Sequence, residues 1–134
     1  MNDRATALPW LGVLTLVAVG GVVGSTGRHL ISEALSGGAL PWGTLVANVV
    51  GSAALGVTVQ LASRHAREPW WYPLVGIGVL GALTTMSSFQ VELVLLVDDG
   101  RVPAAVVYMA ATLVLGIGAG WAGLTVARRL TGAT

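Results

Sequence analysis

Asn48 lies in the run Leu45-Val46-Ala47-Asn48-Val49-Val50, so its side-chain amide stands where an unpaired polar group is costly. Such an amide bonds either to a neighbouring helix or to something polar that enters the apolar layer. Thr44 precedes it by one helical turn on the same face, and the two place donors in succession along one line. A further polar run, Thr84-Thr85-Met86-Ser87-Ser88, is followed by Phe89, the only phenylalanine in the chain, and by Glu92 on a neighbouring part of its face. Tyr108 and Thr112 form a third stripe, and the turn after them offers only Gly116. This inventory holds hydroxyls, amides and ring edges but no nucleophile and base at working spacing, no paired carboxylates and no metal-ligand spacing, so an enzyme is not expected. His29 and His65, far apart in sequence, read as interfacial polar residues rather than metal ligands. The absence of cysteine excludes disulfides, thiolate metal sites and a cysteine nucleophile.

The elements that must position these groups are apolar helices. Hydrophobic residues make up 54% of 134 and charged residues only 10%, which is a membrane composition. A span needs about 20 helical residues, so four spans with short connections use nearly the whole chain and predict a single transmembrane domain over residues 1–134. They are expected from Leu8 to Ile31, Leu40 to Ala62, Trp70 to Val97 and Pro103 to Val126. Pro41 sits in a first turn, Trp70-Trp71-Tyr72 form an aromatic belt, and Asp98-Asp99-Gly100 and Arg128-Arg129 mark polar edges. The first stretch reads as a span rather than a cleaved signal, because it is long, ends in Arg28 and is followed by three like it. The net charge of +1 is too small for a nucleic-acid footprint.

Four spans bring both termini to the same side as the loop between the second and third. That side holds Arg4, Arg64, Arg67, Arg128 and Arg129, against Arg28 and Arg101 opposite. The excess predicts cytoplasmic termini, a preferred orientation and a place in the cytoplasmic membrane. Small residues four apart, Gly20 and Gly24, Ser52 and Gly56, Gly116 and Gly120, predict close helix packing. The third span carries GIGVLGALTTMSSF from Gly76 to Phe89. Either it is interrupted, with freed backbone groups facing protein, water or an ion, or it continues while its hydroxyls bond back to their own backbone.

Three stretches in consecutive spans, GVVGSTGRH, PWGTLVANVVGS and GALTTMSSFQVE, together resemble the CrcB/Fluc fluoride channels. PWGTLVANVVGS is similar to that family's G-T-x-x-x-N-x-x-G, and GALTTMSSFQVE to its G-x-x-T-T-F-S-x-F. The resemblance implies an all-α membrane protein of four transmembrane helices with a broken third helix, assembled as an antiparallel, dual-topology-type dimer with two fluoride pathways. It implies passive export of fluoride that relieves its toxicity. Asn48, Thr44, Ser88, Phe89, Tyr108 and Thr112 would line the pathway, with Met86 at a position where the family usually has phenylalanine. A thioether has no positive ring edge, so that part of the site is expected to be impaired. The carbonyl oxygens of Gly81 and Thr84 would hold a structural sodium ion at the centre, two chains supplying four ligands. Arg28 matches the family's arginine and would either attract anions at the vestibule or snorkel to the interface; Glu92 also matches a family glutamate.

Met86 and the arginine excess point to a fixed orientation and an oppositely oriented homologous partner, so homodimer and heterodimer both stay open. A non-conducting accessory subunit is one rival reading. A small multidrug-resistance-type exporter is another, although the first span lacks the membrane carboxylate such exporters use.

Overall fold

The computed structural model describes residues 9–132. Leu8 and Arg4, on which one span boundary and part of the arginine count rest, lie outside them. The chain forms α1 (Trp10–Ala34) and α2 (Trp42–Ala62). Next, Pro73–Leu80 is wound as a π-helix and runs on into the single α-turn Gly81–Leu83; the two together are α3. Then come α4 (Met86–Asp98) and α5 (Val102–Leu130). Four stretches are long and apolar enough to cross a membrane: α1, α2, Pro73–Asp98 and α5.

The helix ends differ from expectation for local reasons. The first helix runs past Ile31 to Ala34, because a polar residue does not stop a helix; the chain turns at Gly37, whose φ of 88° suits glycine. The second starts at Trp42 rather than Leu40, just after Pro41. The aromatic belt at Trp70 and Trp71 precedes the third helix, which begins with Pro73 at its first position and ends at Asp98. The last helix runs to Leu130, its final turn carrying Arg128 and Arg129 where cations favour the helix dipole.

Packing follows the glycines. α1 lies along α3 in parallel: a Cβ on Gly20 would stand 2.2 Å from the Leu74 carbonyl oxygen, and one on Gly24 2.1 Å from that of Val79. α2 lies along α5, again in parallel, with Gly56 against the Gly120 carbonyl oxygen and Gln60 accepting from Arg128 Nε at 3.1 Å. Gly123, against the Ala53 carbonyl oxygen, extends that seam beyond the predicted pair. Backbones this close gain dispersion that lipid cannot match.

Large apolar side chains such as Ile117 (74% exposed) and Val114 face outward, while the interior holds Thr44, Thr85, Thr112 and the fully buried Tyr108. Apolar outside and hydroxyl-bearing inside suits lipid as the solvent.

Candidate functional site: a polar seam between the helices

The helical backbone stops after Leu83. Thr84 (φ −80°, ψ 148°) and Thr85 (φ −146°, ψ 127°) are extended, and helix resumes at Met86. Asn48 of α2 meets this interruption with both ends of its amide: Nδ2 donates to the Thr85 carbonyl at 3.1 Å, and the Thr85 amide donates to Oδ1 at 2.8 Å. Asn48 therefore stands in for the neighbouring peptide that Thr85 has lost. Thr85 in turn caps α4, its Oγ1 accepting from the Ser88 amide at 3.2 Å while lying 3.2 Å from both Ser87 Oγ and Ser88 Oγ. Thr84 Oγ1 bonds back to the Leu80 carbonyl at 3.0 Å.

These bonds decide which carbonyls are left over. In an unbroken helix the Thr85 amide would bond the Gly81 carbonyl, and the Ser88 amide that of Thr84. Asn48 Oδ1 and Thr85 Oγ1 have taken those donors instead. Gly81 and Thr84 thus present oxygens without their helical partners, and both line an open cavity of about 470 Å³. Uncharged oxygens of this kind suit a hard monovalent cation.

The other cluster is centred on Glu92 of α4. Thr44 Oγ1 donates to Oε1 and Tyr108 OH donates to Oε2, each at 2.6 Å. One carboxyl group so ties α2, α4 and α5 together. Phe89, 4% exposed, packs on Tyr108 with ring centroids 5.4 Å apart, which fixes the tyrosine beneath it. Thr112 lies one turn further along α5 and is also buried; among the described residues its Oγ1 is the one enclosed side-chain oxygen or nitrogen without a hydrogen bond of normal geometry, although the Tyr108 hydroxyl is near enough to interact with it.

Two cavities reach this seam. One of about 300 Å³ opens at the end where α1 and α4 finish and α2 and α5 begin, bounded by Asp99 and Arg101 at its mouth and Thr44 and Glu92 deeper in. The 470 Å³ cavity is walled by Asn48, Ser52, Thr85, Met86 and Thr112 besides the two carbonyl residues. Tyr108 joins them: it bonds Glu92 in the wall of the first and precedes Thr112 in the wall of the second by one turn.

The structure thus gathers Thr44, Glu92, Phe89 and Tyr108 in one group, and Asn48, Met86, Gly81, Thr84 and Thr112 around the other cavity, with Ser88 beside Thr85. Thr44 and Asn48 do not point their donors along one line as their spacing suggested; one turns to Glu92 and the other to Thr85. Glu92, which the sequence matches to a family glutamate, is the hub of the first group and lines the 300 Å³ cavity. Met86 is 62% exposed. Arg28, half-buried near the end of α1, lines neither cavity. Sequence reasoning missed Thr85, Ser52 and Gln60 as site residues. The threonine followed three residues later by Ser88 was a legible helix-start signal; nothing local marked the other two.

Four membrane-crossing helices around a buried polar seam define a multi-pass membrane protein. Residues 15–124 match the family described as "CrcB-like protein, Camphor Resistance (CrcB)". The chain belongs to that family. It is 40% identical over 121 residues to a protein of Agrobacterium fabrum named fluoride-specific ion channel FluC, covering 87% of this chain and 97% of the relative. Relatives of the same name in Caulobacter vibrioides (40% over 122 residues, covering 87% and 96%) and Vibrio parahaemolyticus (38% over 122 residues, covering 87% and 95%) are similar to it over the same extent.

Proposed function

We propose that this chain is a subunit of a fluoride-specific ion channel that passes fluoride down its gradient and out of the cell, relieving its toxicity. The names of its relatives support the ion. The observation that carries the reading for this chain is the Thr112 hydroxyl, buried and without a well-formed hydrogen bond, on a residue that shares a cavity wall with Asn48. An Asn side chain has two amide hydrogens, and only one is used on Thr85. A strongly hydrated anion crosses an apolar layer only if donors replace its water; the spare Asn48 amide hydrogen and the weakly bonded Thr112 hydroxyl are donors of that kind.

The finer parts of the proposal have separate support. The freed carbonyls of Gly81 and Thr84 fit a structural sodium ion; bound there, it would add a positive charge beside the donor seam. The same cavity is open to one side, as expected if a second subunit of opposite orientation completes it. Cytoplasmic termini are supported by the partition of arginines: Arg64, which donates to the Thr131 carbonyl, and Arg128, which donates to Gln60, lie at one end, and Arg101 donates to the Ala39 carbonyl at the other.

The test is fluoride efflux from liposomes loaded with potassium fluoride and triggered by valinomycin, beside liposomes loaded with potassium chloride. Fast loss of fluoride, little loss of chloride and a fall of tenfold or more in Thr112→Val are expected. Thr112→Val removes no well-formed internal bond, so it should melt close to the wild-type temperature. A folded protein that releases neither ion, or both alike, would refute the proposal.

A further inference from the structure

α2 and α5 run in parallel and keep one register, so residues a turn apart on one helix face residues a turn apart on the other. Thr44 and Tyr108 form a first rung, both bonded to Glu92. One turn on stand Asn48 and Thr112, which share the 470 Å³ cavity. The next rung has Ser52 on α2 and Gly116 on α5, and the one after it has glycine on both sides, Gly56 against the Gly120 carbonyl oxygen. The hydroxyl stripe of α5 therefore ends one rung before the polar seam does.

Ser52 stands where that stripe would have continued. A Cβ on Gly116 would lie 3.9 Å from Ser52 Oγ and would meet nothing nearer. Hydroxyls inside helices commonly bond back one turn, as Thr58 Oγ1 does to the Ala54 carbonyl at 2.7 Å and Thr84 Oγ1 to the Leu80 carbonyl at 3.0 Å. Ser52 Oγ makes no such bond, nor a hydrogen bond to any other described residue. Ser52 is half-buried in the wall of the cavity that holds Asn48 and Thr112, so its hydroxyl proton is free for whatever occupies that cavity.

We propose that Ser52 is a further fluoride-binding residue, supplying from α2 the hydroxyl that α5 lacks at Gly116. The assignment rests on the channel reading above, in which a second subunit closes the cavity and Ser52 faces enclosed space. One helical turn is about 5.4 Å, roughly two O–H···anion bond lengths, so an ion leaving Asn48 and Thr112 meets Ser52 before it has lost them. Past Ser52 the facing glycines offer no side-chain donor, which makes this serine the last such donor that the two helices provide.

The experiment moves the hydroxyl from one helix to the other and reads valinomycin-triggered fluoride efflux from liposomes, with melting and cross-linked dimer measured on each variant. Ser52→Ala should melt close to wild type, keep its dimer and lose about tenfold in efflux, as for one hydrogen bond to an ion. Adding Gly116→Ser to Ser52→Ala should restore most of the rate, whereas adding Gly116→Ala should not. Wild-type efflux from Ser52→Ala would overturn the assignment and leave the channel reading standing; a folded wild type that releases no fluoride would overturn the channel reading itself. Equal rescue by Gly116→Ala would also overturn the assignment, by showing that filled space rather than a donor is needed. So would failure of Gly116→Ser to rescue when it is tolerated in the wild type. Loss of the dimer in Ser52→Ala would overturn it as well, by assigning the hydroxyl to the contact between subunits.

Discussion

Replacing Asn48 separates what holds the interruption open from what an ion would meet there. Asn48→Ala removes the bond to the Thr85 carbonyl and strips the Thr85 amide of its acceptor. Interhelical hydrogen bonds in membranes are worth about 0.6–1.7 kcal/mol each, so two give a loss of about 1–3 kcal/mol. The Thr85 amide then has one nearby replacement, the Gly81 carbonyl, and taking it rewinds the helix across the gap. Asn48→Asp is the informative companion. Protonated, its hydroxyl can donate to the Thr85 carbonyl and its other oxygen can accept from the Thr85 amide, which reproduces both bonds with no hydrogen left over. Ionised, it repels the Thr85 carbonyl and any approaching anion. The expected result is a lowered melting temperature for Asn48→Ala, a near wild-type one for Asn48→Asp in acid, and fluoride efflux lost from both in the valinomycin-triggered liposome assay. Wild-type efflux from a folded Asn48→Asp would refute the idea that the spare amide hydrogen serves the ion. Unchanged melting of Asn48→Ala would refute the bracing of Thr85.

Glu92→Gln can accept only one of the two donated bonds and turns an amide group toward either Thr44 or Tyr108. A loss of about 1–3 kcal/mol is expected by chemical denaturation in detergent. Gly24→Ala should destabilise markedly, since its Cβ would press on the Val79 carbonyl oxygen, whereas Gly118→Ala, with nothing within 4 Å, should not; thermal melts of the two distinguish packing from helix propensity. Met86→Phe should leave the stability of the subunit's own fold within about 0.5 kcal/mol of wild type, because Met86 is exposed within one chain. It should raise fluoride efflux by supplying the missing ring edge, and unchanged efflux would mean that this position does not meet the ion.

The spans were legible because lipid imposes one rule on every residue of a crossing helix, and a run of apolar residues satisfies it locally. The close approach at Gly20 and Gly24 was legible for the same reason: small residues one turn apart form a notch in their own helix, whatever fills it. Glu92 as a hub was not legible. Its partners are 48 and 16 residues away, and spacing alone placed Thr44 with Asn48, one turn along the same helix, rather than with a carboxyl group on another. Gln60 was missed because a polar residue near a helix end resembles an interfacial one until Arg128 is found against it. Sequence periodicity reports the face a residue occupies, whereas the polar seam depends on which faces meet.

Asn48 links the two kinds of ion chemistry in the proposed reading. By taking the Thr85 amide it removes the helical donor of the Gly81 carbonyl; by bonding the Thr85 carbonyl it fixes the extended backbone that lets Thr85 cap α4 and so deprive the Thr84 carbonyl as well. A continuous helix would bury its carbonyls in its own ladder and leave Asn48 without a backbone partner. In that reading one side chain frees the carbonyls of Gly81 and Thr84 for a cation while its remaining hydrogen, with Thr112, would meet an anion. Opposite charges placed beside the same cavity stabilise each other most where the dielectric constant is low. A fluoride seam and a sodium site would then be coupled in affinity, and a mutation that closes the interruption would remove both together.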